Sequence, residues 1–135
     1  MQSSILLFVV AMLSGIPSQN PTPQDFVTIL QNAFENQQSG IQIQGNGVVT
    51  RLLSDDLEVP RHQRFILQIS PQQTVLVDHN IDVAERVPDL QIGGFVEFYG
   101  VYEWNVEGGV IHWTHHDPDG DHIAGWLKYA GNIYQ

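Results

Sequence analysis

Ile41–Leu53, I-Q-I-Q-G-N-G-V-V-T-R-L-L, decides the fold. Ile41, Ile43, Gly45, Gly47 and Val49 occupy every second position, and polar residues fill most of the gaps. A period of two is that of a strand with one buried face. The two internal glycines mark a place where the strand bends. Outward from this stretch, the alternation returns in His62–Ser70 (HQRFILQIS), where Phe65, Leu67 and Ile69 share a face. Pro71-Gln72-Gln73 turns the chain, and Thr74–Ile81 (TVLVDHNI) comes back as the second arm of a hairpin. Asp82–Leu90 reads as a short helix or turn that Pro88 ends. Gly93-Gly94 opens a long fourth strand, Phe95–Trp104, in which Gly100 predicts a bulge or a sharp bend. Val110–His115 is a fifth strand. Trp126–Tyr129 and Ile133–Tyr134 form a terminal hairpin about Gly131-Asn132. This order predicts a mainly β protein: a five-stranded OB-like barrel with an N-terminal helix and a C-terminal hairpin.

The helix begins at Pro23-Gln24-Asp25-Phe26 and places Phe26, Ile29, Leu30, Ala33 and Phe34 on one apolar face. It is expected to fade through Gln37-Gln38-Ser39 and stop at Gly40. Residues 20–40 are thus a linker and packing helix, and residues 41–135 an OB-like β domain. Residues 1–19 read as a signal peptide: Ile5–Leu13 is an apolar run too short to span a bilayer, followed by the small residues Ser14, Gly15 and Ser18. The expectation is an exported, periplasmic protein without a transmembrane anchor, although Met1–Ser4 carries no Lys or Arg.

Composition narrows the function classes. A formal net charge of −10 with five Lys and Arg repels phosphate backbones, so nucleic acid is disfavoured as a partner. The chain has no cysteine, which removes disulfides, thiolate zinc sites and cysteine nucleophiles.

Two constellations can carry chemistry. Gly108–His122 (GGVIHWTHHDPDGDH) holds four of the six histidines. His112 and His116 stand roughly 13 Å apart on a straight strand and cannot share an ion. His115 or His116 can meet Asp117 and, across the Pro118–Gly120 turn, His122. Two imidazoles and a carboxylate suit zinc or another divalent metal and can activate a water. The spacing matches no standard zinc signature, and the bland reading is a solvated turn with strand-end caps. As a calcium loop it lacks the right glycine position, and Lys128 stands where a glutamate is needed. The second constellation is Arg61-His62-Gln63-Arg64, with Arg51 nearby on the first strand. Arginines can hold a carboxylate or phosphate, or simply pair with Asp55, Asp56, Glu58 or Asp78. If Phe65 faces the core, Arg61 and Gln63 lean inward while His62 and Arg64 lean out. His79 and His112 complete the candidate ligand-binding set of Arg61, His62, Arg64, His79 and His112.

Three segments carry a resemblance: RHQRFIL at 61–67, VEFYGVYEW at 96–104 and GVIHWTHHDP at 109–118. On these the chain resembles a bacterial domain-of-unknown-function family, number 3465, over roughly Gly45 to Gln135. The resemblance implies a bacterial, exported, single-domain protein with no established activity and offers no catalytic residues. The leading expectation is therefore a binding module for a small molecule or protein, with a His/Asp-rich site. The alternatives are a metal-dependent hydrolase of a phosphoester-type bond, using His115 or His116, Asp117 and His122, and an interaction module without small-molecule chemistry. Whether the chain is an enzyme stays open at this point.

Overall fold

The computed structural model describes residues 23–135. The expected signal peptide lies outside the described residues. Helix α1 (Pro23–Glu35) precedes seven strands: β1 (Ile41–Leu52), β2 (His62–Ser70), β3 (Gln73–Asn80), β4 (Phe95–Glu103), β5 (Val110–His112), β6 (Trp126–Tyr129) and β7 (Asn132–Tyr134). The sheet runs β1-β2-β3-β5-β4-β6-β7, and a further pairing of β1 with β4 closes the first five strands into a barrel. Neighbours are antiparallel except β3 and β5, which run parallel. This is the expected OB-like arrangement.

Closure depends on β1 serving two partners. Its first part, Ile41–Val48, pairs with β4, while Val48–Leu52 pairs with β2. Glycine is required where the strand passes from one to the other. A Cβ at Gly47 would lie 2.7 Å from the Gln68 carbonyl oxygen on β2, and one at Gly45 would lie 2.6 Å from the Phe26 ring. The missing side chains therefore let β2 and α1 approach closely. A register shift between Val49 and Arg51 leaves both Thr50 and Arg51 on the exposed side, while Val49 is fully buried. This is the usual work of a bulge, which re-aims side chains.

The interior is filled by Val49, Phe65, Leu67, Val77, Val96, Phe98, Ile111 and Leu127, all fully buried. Helix α1 contributes Phe26, Leu30 and Ala33, and the Phe26 ring meets Phe98 edge-on at 6.2 Å. Phe34 instead stacks on Trp104. Ile29, expected on the buried face, is exposed, so the packed stripe is narrower than its periodicity implied. The left-handed residue that ends the helix is Gln37, three residues before Gly40.

Of the two forms expected for Asp82–Leu90, helix or turn, the structure shows turns, and α1 is the helix of the described residues. Three further readings are narrowed or corrected. Gly100 is not a bulge: it pairs in register with Ile43, and a Cβ there would sit 2.4 Å from the His112 carbonyl oxygen. At Gly100 the far edge of β4 changes partner, from β6 along Val96–Tyr99 to β5 along Val101–Glu103. Finally, β5 ends at His112 and not at His115, because Trp113 adopts a left-handed φ of 56°. The alternation of faces expected through His116 breaks there, and the consecutive residues Thr114 and His115 are both buried, Thr114 against His79 inside the wall and His115 beside His62 on the outer face. The terminal hairpin turns on Ala130-Gly131, both at positive φ, one residue earlier than expected.

Replacing Gly47 with alanine forces β1 away from the β2 backbone. We expect Gly47→Ala to lose about 1–3 kcal/mol in urea unfolding, the range of overpacked sites. An unchanged midpoint would mean that β1 does not pass β2 this closely.

Candidate ligand-binding face

The barrel wall alternates in and out, so register decides which side chains share its outer face. Across β2 and β3 the outward pairs are His62 with Asn80, Arg64 with Asp78, Ile66 with Leu76, and Gln68 with Thr74. Strand β5 continues the face in parallel, with Val110 beside Leu76. Two cavities open here. The larger, about 500 Å³, is lined by Thr50, Arg51 and Leu53 from β1 and its end, by Arg64, Ile66, Thr74 and Leu76 from the hairpin, and by Asn105, Glu107 and Gly109 from the loop before β5. The smaller, about 270 Å³, is lined by His62, Asp78, Asn80, Val83, His112, Trp113, His115 and Pro118. The cavities adjoin, since Arg64 lines one and its cross-strand partner Asp78 lines the other.

Three of the sequence-derived candidates, His62, His112 and His115, therefore meet in one cavity, and Arg64 lines its neighbour. His112 Nε2 lies 3.3 Å from a Glu103 carboxylate oxygen. His115 donates its Nδ1–H to the His116 carbonyl at 2.6 Å, and burial lowers its pKa, so it offers the Nε2 lone pair as an acceptor. Asp78 Oδ1 is buried in the same region and has no hydrogen-bond partner.

Arg61 stands apart. It precedes β2, so the strand alternation does not reach it, and it points to solvent. Asp82 clamps it by accepting its Nε–H at 2.7 Å and its backbone N–H at 2.8 Å. Those two bonds from Arg61 hold the Asp82 carboxyl below its ordinary pKa.

His79 faces the other way. It is fully buried inside the wall, where Nδ1 accepts from the Thr114 hydroxyl at 2.7 Å and Nε2–H donates to the Glu85 carbonyl at 2.9 Å. It is a structural histidine that ties the 81–94 segment to the turn after β5, and no external ligand reaches it. Burial pushes its pKa down to about 4.

The acidic turn is knit together by its own bonds. The Asp117 carboxylate accepts the backbone N–H of Asp119 and of Asp121, each at 3.0 Å, and this lowers its pKa. His122 stacks flat on Trp113 at 3.9 Å and donates Nδ1–H to the Ile123 carbonyl at 2.9 Å. His116 is exposed. These tautomers leave Nε2 lone pairs on His115 and His122, as metal-binding histidines have. The donors do not converge, however: among the described residues no group of three or more His, Asp or Glu is placed to hold a metal ion.

Register also brings in residues that sequence reasoning did not select: Thr74, Leu76, Asn80, Asn105 and Glu107. Alternation alone would have put Leu76 and Asn80 outside. Only the parallel β3–β5 pairing brings the loop before β5 against them.

A closed five-strand barrel with β3 parallel to β5, one capping helix and an appended hairpin defines the class as a small OB-like domain. The chain belongs to the family described as Protein of unknown function (DUF3465), which it matches over residues 10–135. No curated protein matches it.

The pH dependence of stability tests the His79 assignment. Above pH 6.5 both folded and unfolded chains carry this ring neutral, and it adds no slope. Between 6.5 and about 4 only the unfolded chain takes up the proton, so stability falls as pH falls, by about 3 kcal/mol in all. Urea unfolding across that window should show this fall, and His79→Gln should be less stable at pH 7.5 but flatter with pH. Equal slopes for the two proteins would refute the assignment.

Proposed function

We propose that the protein is an exported binding module for a small polar molecule, and that its site is the outer face of β2, β3 and β5. The observation that carries this is the adjoining pair of cavities on that face. OB barrels bind ligands on the strand-two and strand-three face, between the loop after strand one and the loop before strand five. Here those loops are residues 53–61 and 104–109, and Leu53, Asn105, Glu107 and Gly109 line the larger cavity. Its size falls within the roughly 300–1,000 Å³ of small-molecule sites.

The larger cavity argues against single-stranded nucleic acid. Such sites use aromatic platforms and a basic groove. The larger cavity has Ile66 and Leu76 as its apolar floor and no aromatic ring, in a chain of net charge −10. The metal-dependent hydrolase reading ranks lower because its donors are spread around the turn and bonded within it. An interaction module gains support from one observation: Val48 and Phe95 form an exposed cross-strand pair, with Ile133 also exposed along the same stretch of sheet. Export rests on the apolar run Ile5–Leu13 and the small residues after it.

Differential scanning fluorimetry against a panel of monosaccharides, sugar acids, sugar phosphates and amino acids tests the binding reading. A ligand present at about 100 times its Kd stabilises the fold by about 2.7 kcal/mol, a rise of several degrees in Tm. We expect at least one such rise, abolished in Leu76→Trp, which fills the larger cavity, and kept in Phe95→Ala. A panel without effect, or a rise that survives Leu76→Trp, would count against this face.

A further inference from the structure

We infer that the larger cavity is an oxyanion site and takes a small hydroxylated organic anion, a sugar acid or sugar phosphate. The inference rests on the ligand-binding reading of this face and names its ligand class.

The argument is an accounting of positive charge. The chain has five Lys and Arg against fifteen Asp and Glu. Arg61 is held by Asp82, and Arg86 by Asp55. Lys128 lies over the Trp126 ring at 4.7 Å. Arg51 has no ion-pair or hydrogen-bond partner among the described residues, and Arg64 commits only its Nε–H, to the Ser54 carbonyl at 3.0 Å. Both of these less committed guanidinium groups line the same cavity. In so acidic a protein, cations left unpaired by ten surplus carboxylates are not explained by surface pairing.

The placement of Arg51 is itself built. The bulge at Thr50 returns Arg51 to the outer face opposite Ile66, at the rim of the cavity. An arginine fork suits the two oxygens of a carboxylate or phosphate. The remaining lining fits a sugar ring. Thr74 and Asn105 offer hydrogen bonds to hydroxyl groups, and Glu107 accepts from them. Ile66 and Leu76 give the apolar floor against which the C–H face of a ring can lie. Two arginines against one glutamate leave the lining positive, the reverse of the protein as a whole. That local reversal selects an anion over a neutral sugar.

Isothermal titration of the full mature protein with D-glucuronate, D-glucose 6-phosphate and D-glucose decides the matter. We expect at least one of the two anions to bind saturably and glucose to bind at least tenfold more weakly. Arg51→Gln should weaken the anion about tenfold or more, the loss of one charge-assisted bond. Lys128→Gln, the same charge change on the hairpin, should leave affinity unchanged. Equal weakening in Lys128→Gln would reduce the effect to net charge and overturn the inference. So would equal binding of glucose, or binding of some other neutral ligand at this face with neither anion bound; both outcomes leave the binding-face reading standing. If neither anion binds and the fluorimetry panel is also silent, both readings fail together.

Discussion

One strand with two partners holds this molecule closed. Strand β1 bonds β4 from Ile41 to Val48 and β2 from Val48 to Leu52, so Val48 takes part in both ladders. A strand that serves both ends of a sheet must coil tightly, and coiling brings its backbone against its neighbours. Gly45 and Gly47 are where that approach happens, with no Cβ to hinder the Phe26 ring or the Gln68 carbonyl. Closure removes free edges from the five-strand core. It also makes the β2–β3 hairpin present one side outward while β5 and its preceding loop lie alongside. The cavities on that face are a result of topology before they are a result of any single side chain.

Polar groups are distributed to match. Inside the wall, His79 is satisfied on both nitrogens and Gln63 exchanges two bonds with Val87, accepting at 2.8 Å and donating at 3.0 Å. Both side chains are engaged at both ends, as burial demands, while the buried Gln73 donates to the Leu30 and Gly108 carbonyls and leaves its Oε1 unbonded. On the outer face the pattern differs. Asp78 keeps a buried oxygen unbonded, Arg51 has no partner among the described residues, and Arg64 uses only part of its guanidinium. These three groups share one face, and a ligand there would complete them.

Much of this was readable in the sequence. The alternation in His62–Ser70 and Thr74–Ile81, the glycines in Ile41–Leu53 and the terminal hairpin lead to the barrel by pattern alone, since period and turn chemistry are local. The family resemblance read from three segments agrees with the match over residues 10–135. What stayed hidden depends on nonlocal or exceptional geometry. Trp113 adopts a left-handed backbone that is rare for a bulky residue, and the face assignment of His115 fails with it. His79 shares the buried side of β3 with Val75 and Val77, a side set by the pairing of β3 with β2 and β5. Its ring satisfies both nitrogens with groups from two other segments, so a histidine there signals structure. Arg61 falls one residue outside β2, where alternation no longer applies. The bulge at Thr50, which turns Arg51 outward, leaves no trace in composition or spacing.

Closure by β1 is the claim on which the ligand face depends, and interstrand nuclear Overhauser effects measure it directly. The account predicts antiparallel contacts between Gly45 and Phe98 and between Gly47 and Val96, together with parallel contacts linking Leu76 to Val110 and Val77 to Ile111. A spectrum in which β3 pairs with β4 and β1 has contacts only to β2 would describe an open sheet. In that sheet the loop before β5 would not reach Arg64 and Leu76, and the proposed site would not exist.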